Sequence, residues 1–308
     1  MPNGTSNEPT PSLPLRLLTR AVRVGIIPRG YSWIVRNSPA SVWGGERVRV
    51  PTAVGPMVVP LSDVAGHPLI FRGCYPHEAH DHALISSVVR DAKVLFDVGA
   101  HYGWYARLFA AKAPAARIYA FESNPRTFDV LRVNAAENGR ITCVGAGVGG
   151  STGRGTVWQA ASSDLSSTTR AVGQGVAIEM VSLDDFCERE GIVDVDFVKC
   201  DVEGGELDVL RGARRILEGE RPPIWMLEFV DRFFSETSHT IDEILQEFSH
   251  ARAPHVMFSH NAARQLVRIP HPSRRESSNV YFVPETRLQA FLAASRSGTS
   301  QDVEPCAE

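Results

Sequence analysis

The chain has 308 residues, 43% hydrophobic and 22% charged, with a formal net charge of −3. That length buries a sizeable core as one large domain or two small ones, and the near-neutral charge argues against a nucleic-acid partner. No apolar run reaches the roughly 20 residues that span a bilayer, which excludes a membrane-spanning helix.

In chain order, Met1 to Pro14 is rich in Pro, Ser, Thr and Asn and is expected to be disordered. Arginines are spread through the apolar stretch that follows, without a small-residue cleavage pattern, so it does not read as a signal peptide. Between Leu15 and Gly45 there is no acidic residue, yet Arg16, Arg20, Arg23, Arg29 and Arg36 all occur. Arg16, Arg20 and Arg23 share one face of an expected helix, and Leu17, Leu18, Ala21 and Val24 lie largely away from it. Such a helix could rest weakly on an anionic membrane through residues 15–36; docking on its own domain with a solvated basic face is the favoured reading. Arg47 to Val50 and Pro56 to Pro60 read as short strands, and His77 to Arg90 as a helix leading into the main domain.

From Lys93 onward, short apolar runs alternate with helical patterns. Strands are expected at Val94 to Val98, Arg117 to Phe121, Ile141 to Ala146, Asp196 to Cys200 and Ile224 to Phe229. Helices are expected from Tyr102 to Ala113, Pro125 to Asn138 and Glu203 to Glu218. Apolar strands separated by helices indicate an α/β protein with a parallel sheet covered on both sides. His255 to Ser259 and Asn279 to Val283 read as two late strands joined by a polar stretch. Gly153 to Val181 interrupts the alternation with strands at Thr156 to Gln159 and Val176 to Val181, around the Ser/Thr-rich loop Ala161 to Arg170. The division is a disordered 1–14, an extension 15–90, a main domain 91–290 and a tail 291–308. The cysteines Cys74, Cys143, Cys187, Cys200 and Cys306 are scattered and form no Cys-x-x-Cys pair. That spacing suggests no disulfide framework or thiolate zinc site, and fits a reducing cytoplasm.

The strand Val94 to Val98 runs into Asp97-x-Gly99-x-x-x-Gly103 and opens a helix. Ligands of open α/β sheets bind at strand carboxyl ends, where Gly99 and Gly103 would let one approach the backbone. Asp97 would hold the loop and meet a positively charged ligand end. About 25 residues on, Phe121-Glu122-Ser123-Asn124-Pro125 places an acid where a ribose diol can donate two hydrogen bonds, with Asn124 as a helix cap. The loop lacks the middle glycine of Gly-x-Gly-x-x-Gly, since Ala100-His101-Tyr102 fills that space. This favours S-adenosylmethionine, which has no pyrophosphate, over NAD(P) and an oxidoreductase.

With these residues in view the chain resembles the FkbM-type methyltransferases, over roughly residues 60–284. The marks are Phe96-Asp-Val-Gly-Ala-His-Tyr-Gly103, Ala120-Phe-Glu-Ser-Asn-Pro125, Ser182-Leu-Asp-Asp-Phe186, Val198-Lys-Cys-Asp-Val-Glu-Gly-Gly-Glu-Leu207 and Asn279-Val-Tyr-Phe-Val-Pro284. His101 stands where the family usually has asparagine, Ser123 where proline is common, and Gly205 where alanine is usual. The resemblance implies a Rossmann-like seven-stranded mixed sheet with the last strand antiparallel. It further implies methyl transfer to oxygen and an adenine pocket near Val144 to Gly147, including Ala146.

An alcohol acceptor must lose its proton, so a general base is expected near the transferred methyl group. Asp201 and Glu203 lie at the mouth of the fourth strand and are candidates for it, Asp201 also for cofactor contact. The alternative is that Asp201 caps the following helix and Glu203 meets its dipole. His101 is a further candidate base. Glu228 and Lys199 are candidate acceptor-binding groups, although Lys199 could instead form a buried pair with a carboxylate; His260 and Asn279 are weaker candidates. His77-Glu-Ala-His-Asp-His82 lacks His-Glu-x-x-His spacing, so a polar helix start near a pocket entrance is favoured and no metal is expected. Phe233, Phe234, His239 and His250 suggest no role. The expected function is O-methylation of a small hydroxylated metabolite, a sugar or natural-product intermediate. The alternatives are an oxidoreductase and a non-catalytic S-adenosylmethionine-binding protein.

Overall fold

The computed structural model describes residues 10–297 except 28, 160–162, 164–165, 170, 172, 231–235, 238 and 273–277. Most of the expected disordered start, parts of the Ser/Thr-rich loop, Phe233, Phe234 and Cys306 therefore lie outside the described residues. Leu13 and Pro14 already belong to helix α1 (Leu13–Arg23), whose cap is the Ser12 hydroxyl. Helices α2 (Tyr31–Arg36) and α3 (Ala40–Trp43) follow, then an antiparallel pair of strands, β1 (Arg47–Val50) and β2 (Met57–Pro60). A short 3-10 turn leads to α4 (His67–Arg72), and a second one at Pro76–Glu78 leads to α5 (Ala79–Val88).

The main domain begins at β3 (Val94–Val98) and continues through α6 (Trp104–Lys112), β4 (Arg117–Phe121), α7 (Pro125–Ala135) and β5 (Ile141–Val144). Next come β6 (Gly147–Val148), β7 (Gly153–Gln159) and β8 (Gln174–Val181), which make a separate three-stranded sheet in the order β6-β8-β7. The chain returns through α8 (Leu183–Glu190), β9 (Phe197–Cys200), α9 (Glu206–Arg211), α10 (Arg214–Glu218) and β10 (Ile224–Phe229). It closes with α11 (Ile241–Ser249), β11 (His255–His260), β12 (Leu266–Ile269), β13 (Ser278–Pro284) and α12 (Leu288–Ser297).

Among the described residues the central sheet has eight strands in the order β12-β11-β13-β10-β9-β3-β4-β5. Strands β5, β4, β3, β9 and β10 are parallel, and β13 runs antiparallel to β10 with Trp225 opposite Phe282. The implied count of seven is thus short by one. The polar stretch between the late strands contains β12, a half-exposed edge strand paired with β11, whose Arg268 interrupts the apolar pattern.

Alternation along β3 divides the core. Val94, Phe96 and Val98 pack on one face with Phe186, Leu207, Leu217 and Phe248, while Leu95 packs on the other with Ile85, Phe109 and Leu131. Two apolar faces covered by helices are what the continuous apolar strands demand. The proposed tail is shorter than expected, because α12 carries Phe291 into the core, 5.2 Å from the Phe258 ring. Cys143, Cys187 and Cys200 are free, but Cys74 is disulfide-bonded, which its spacing did not suggest. Among the described residues no helix is long and apolar enough to cross a membrane.

Candidate active site

The order in which strands are added reverses at β3, since β4 and β5 extend the sheet one way and β9 and β10 the other. A crevice at the carboxyl ends of such strands is the expected ligand position. A cleft of about 370 Å³ occupies it, within the range of small-molecule sites. Its walls include Gly99, Ala100, His101, Glu122, Ser123, Ala146, Lys199, Asp201, Glu203 and Glu228, so most of the predicted residues converge there. Asp97, Gly103 and Asn124 do not line it.

The β3–α6 loop is fixed by backbone bonds, with the Gly99 and Ala100 N–H groups both donating to the Phe121 carbonyl. Gly99 has φ +76°, and a Cβ there would lie 1.8 Å from the Asp201 carbonyl oxygen. This glycine therefore seats β3 against the end of β9, besides lining the cleft. Gly103 has φ +87°, and its missing Cβ makes room for Leu131. His101 adopts φ +52°, a conformation that asparagine accepts more readily than histidine.

Glu122 is buried at the end of β4. Its Oε2 accepts from the His101 N–H at 2.9 Å and its Oε1 from the Asn124 N–H at 2.8 Å. Burial pushes its carboxyl up to about 7, outweighing these two bonds. Each oxygen keeps a lone pair for a further donor. The Asn124 side chain caps α7 through the Arg126 N–H, as expected.

The opposite wall carries the carboxylates. Asp201, Glu203 and Glu228 each present an oxygen within 4.8 Å of the others. The stretch 201–205 is not helical: Glu203 has φ +60°, Gly204 has φ +100°, and α9 begins only at Glu206. Asp201 is therefore no cap, and Glu203 sits outside the helix rather than on its first turn. Glu206 organises this loop instead, accepting from the Val202 and Gly204 N–H groups, and His239 reaches the Gly204 carbonyl at 3.2 Å. The single predicted helix 203–218 is broken at Gly212, where a Cβ would meet the Gly149 carbonyl at 2.1 Å.

Lys199 is buried, with its ammonium 3.1 Å from Asp201, 3.9 Å from Asp97 and 3.1 Å from the Gly99 carbonyl. The predicted carboxylate pairing is thus present, and this cation is committed to holding Asp201 and the loop. Burial would lower its pKa, but Asp201 and Asp97 outweigh that and raise it. Asp97 lies below the cleft floor, and burial pushes its carboxyl up to about 6 against the pull of Lys199. Burial, the neighbouring Asp201 charge and a hydrogen bond to Asp201 push the Glu228 carboxyl well above the usual carboxylate range. The three-carboxylate cluster has a spacing that could hold a cation, whereas the His77–His82 run does not assemble into such a group among the described residues.

That run serves the cleft differently. His77 and Glu78 line it, as a polar helix start near the entrance would. Glu78 accepts from the Tyr105 hydroxyl at 2.7 Å, and its Oε2 lies 3.2 Å from the His82 Nε2, which is also 2.9 Å from the Trp104 indole nitrogen. Burial would raise the Glu78 carboxyl, but bonds to His77 and His82 hold it well below the usual range. Asp81 binds His260, Asn279 and the Tyr281 hydroxyl, so His260 and Asn279 tie α5 to the sheet rather than facing the cleft. The His101 ring meets Ser163, whose N–H also points at Asp63, and Asp63 accepts from the Tyr102 hydroxyl. Sequence patterns gave no role to Glu78 or Tyr105, which line the cleft, or to Asp63 behind Ser163; the His77-Glu-Ala-His-Asp-His82 run that contains Glu78 was the signal for the first.

The sheet order, the cleft at the β3 reversal and the buried acceptor Glu122 fit an α/β protein that holds a nucleoside cofactor. Residues 97–254, just over half of the chain, match the Methyltransferase FkbM domain, and the chain belongs to that family. It is similar to the hexuronic acid methyltransferase AglP of Haloferax volcanii, 31% identical over 137 residues, covering 44% of this chain and 56% of that protein. It is also similar to the 2-O-methyltransferase NoeI of Sinorhizobium fredii, 26% identical over 156 residues, covering 45% of this chain and 64% of NoeI. In both cases the match spans less than two thirds of the relative's length. Among solved structures, Aeropyrum pernix fibrillarin with bound S-adenosyl-L-methionine is 16% identical with a TM-score of 0.39, covering 67% of this chain and 76% of that one.

Proposed function

We propose that this chain is an S-adenosylmethionine-dependent O-methyltransferase acting on a hydroxyl of a sugar-like small molecule. The observation that carries the reading is the pairing, in one cleft, of a preoriented Glu122 with the carboxylates Asp201, Glu203 and Glu228. Family membership supports methyl transfer, and the activities for which AglP and NoeI are named, on a hexuronic acid and at a 2-O position, support a hydroxylated acceptor.

The cofactor fits the residues present. Glu122 offers two acceptor sites to a ribose diol, and Ala146 and Gly147 give an uncharged wall for an adenine. When bound, its sulfonium supplies an electrophilic methyl group. Asp201 accepts the acceptor's hydroxyl proton, Lys199 fixes its direction, and Glu228 is hydrogen-bonded to the same carboxylate. Glu203 is the second proton acceptor in reach of the cleft. His101 is read as a positioning residue, since its backbone N–H holds Glu122 and its ring is engaged by Ser163.

The test is label transfer from S-adenosyl[methyl-³H]methionine to a panel of hexuronates and glycosides, beside calorimetry with S-adenosylmethionine and NAD. Transfer to a hydroxyl of one acceptor class supports the reading. Tight NAD binding with none to S-adenosylmethionine overturns it in favour of an oxidoreductase. Cofactor binding without transfer to any hydroxylated acceptor leaves a non-catalytic binding protein.

A further inference from the structure

Helix α1 rests on the body through Leu15, Leu18 and Val22, all buried, and Arg23 fastens it by donating to the Phe71 carbonyl of α4 at 2.9 Å. Its opposite face is not simply a solvated basic one. Leu13, Leu17, Arg20 and Val24 recur at steps of four, three and four residues, which places them on a single outward stripe. Leu18 belongs to the buried face, so the apolar residues of this helix divide between two surfaces.

Exposure of large apolar side chains is concentrated here. Six of the eight such residues among the described ones fall between Leu13 and Val42. Ile26 is 75% exposed and Trp33 70% exposed. Scattered exposed apolar residues need no explanation, but a cluster confined to one short segment does. The exposed Arg16, Arg20, Arg29 and Arg36 are interleaved with them, and no acidic residue occurs from Pro9 to Gly45.

We propose that residues 13–36 form a docking surface for an anionic lipid bilayer, lying in the interface without crossing it. The two chemistries of the segment meet their complements together at such a surface, where apolar side chains enter the acyl boundary and arginines face lipid phosphates. Tryptophan suits that depth because its ring is apolar and its N–H polar. A second copy of the chain is a poor occupant, since a self-complementary contact would bring the arginines of both copies together with no acid in the segment to oppose them. The proposal is independent of the acceptor and of the assigned activity.

The test uses the full chain in co-sedimentation with phosphatidylcholine–phosphatidylglycerol vesicles and with pure phosphatidylcholine vesicles. The expected result is binding to the anionic vesicles that weakens with salt and is at least about tenfold lower on neutral ones. Leu17→Asp/Ile26→Asp/Trp33→Asp and Arg16→Glu/Arg20→Glu/Arg29→Glu should each lower anionic-vesicle binding by about tenfold or more. Unchanged thermal unfolding checks their fold; if either triple variant is unstable, the single variants Ile26→Asp and Arg29→Glu, both outside helices, carry the comparison. No sedimentation of the wild type with anionic vesicles overturns the proposal, as does binding that survives both sets of substitutions. A concentration-dependent dimer that the apolar variant abolishes, without vesicle binding, also overturns it and assigns the surface to a second copy.

Discussion

Removing the Glu122 carboxylate should weaken S-adenosylmethionine binding by about 2 kcal/mol, close to thirtyfold in Kd. The magnitude follows from the geometry. Two backbone N–H groups at 2.9 and 2.8 Å occupy one site on each oxygen and leave the others for a diol. A hydrogen bond to a charged acceptor contributes about 1.5–3 kcal/mol, and water entering the vacated space recovers part of the loss of two. Glu122→Ala also strands two N–H donors, at about 1–3 kcal/mol for each that stays dry, so its melting temperature should fall. Glu122→Gln keeps one acceptor and is the milder control. Acidity adds a second signature. With its carboxyl at about 7, the ligand-free protein binds a ribose diol best once Glu122 is deprotonated. Affinity should then rise about tenfold from pH 6 to pH 8 and level off above neutrality. The effect on folding has the opposite sign. A carboxyl raised from 4.5 to about 7 gives a stability contribution that is complete below 4.5 and is lost as pH rises through 7. Calorimetric titration at pH 6, 7 and 8, well below the melting temperature, measures the affinities, and thermal unfolding at the same pH values measures the stabilities. A folded Glu122→Ala protein with wild-type affinity and the same pH profile would refute the assignment.

Asp201→Asn should lower kcat by about a hundredfold or more while changing cofactor affinity less than about threefold; the reverse pattern in single-turnover and calorimetric measurements would leave Asp201 a merely structural residue. Gly99→Ala should destabilise the fold by about 3 kcal/mol, because its Cβ would lie 1.8 Å from the Asp201 carbonyl at φ +76°. Denaturant unfolding checks it, and an unchanged midpoint would mean that β3 and β9 can separate freely. Exhaustive chelation should leave turnover intact, since the Lys199 ammonium already pairs with the carboxylate cluster through Asp201. Loss of activity restored by a divalent ion would assign that cluster to a metal.

The parallel core was legible in the sequence because each strand there announces itself. Val94 to Val98 and Phe197 to Cys200 are apolar throughout except for Asp97 and Lys199, and those two exceptions face each other at 3.9 Å. The edge strand β12 was not legible, since it is short, half exposed and interrupted by Arg268. The helix after β9 was misplaced for a backbone reason. Glu206 satisfies the Val202 and Gly204 N–H groups that a helix starting at Glu203 would have left to a cap at Asp201. That difference matters chemically, because an Asp201 side chain spent on capping could not face the cleft and Lys199.

The surroundings of Ser163 on the cleft wall were hidden for a different reason: their contacts join segments far apart in the chain. Asp63 from the extension, Tyr102 from the β3–α6 loop and Ser163 from the excursion between β7 and β8 meet in one hydrogen-bonded group. No periodicity reports a meeting of residues 100 positions apart. Glu78 is similar, since its partners His82 and Tyr105 lie on α5 and α6, and only their packing turns a surface-like acid into a half-buried one. The segments least readable as fold, the extension and the excursion, thus supply the wall opposite the sheet. In the proposed enzyme this division has a physical basis. The parallel strands hold the groups assigned to the cofactor, Gly99, Glu122 and Ala146, whose positions follow from strand ends. Acceptor choice would then fall to Tyr75, His77, Glu78 and Ser163, which can change without disturbing a single strand of the sheet.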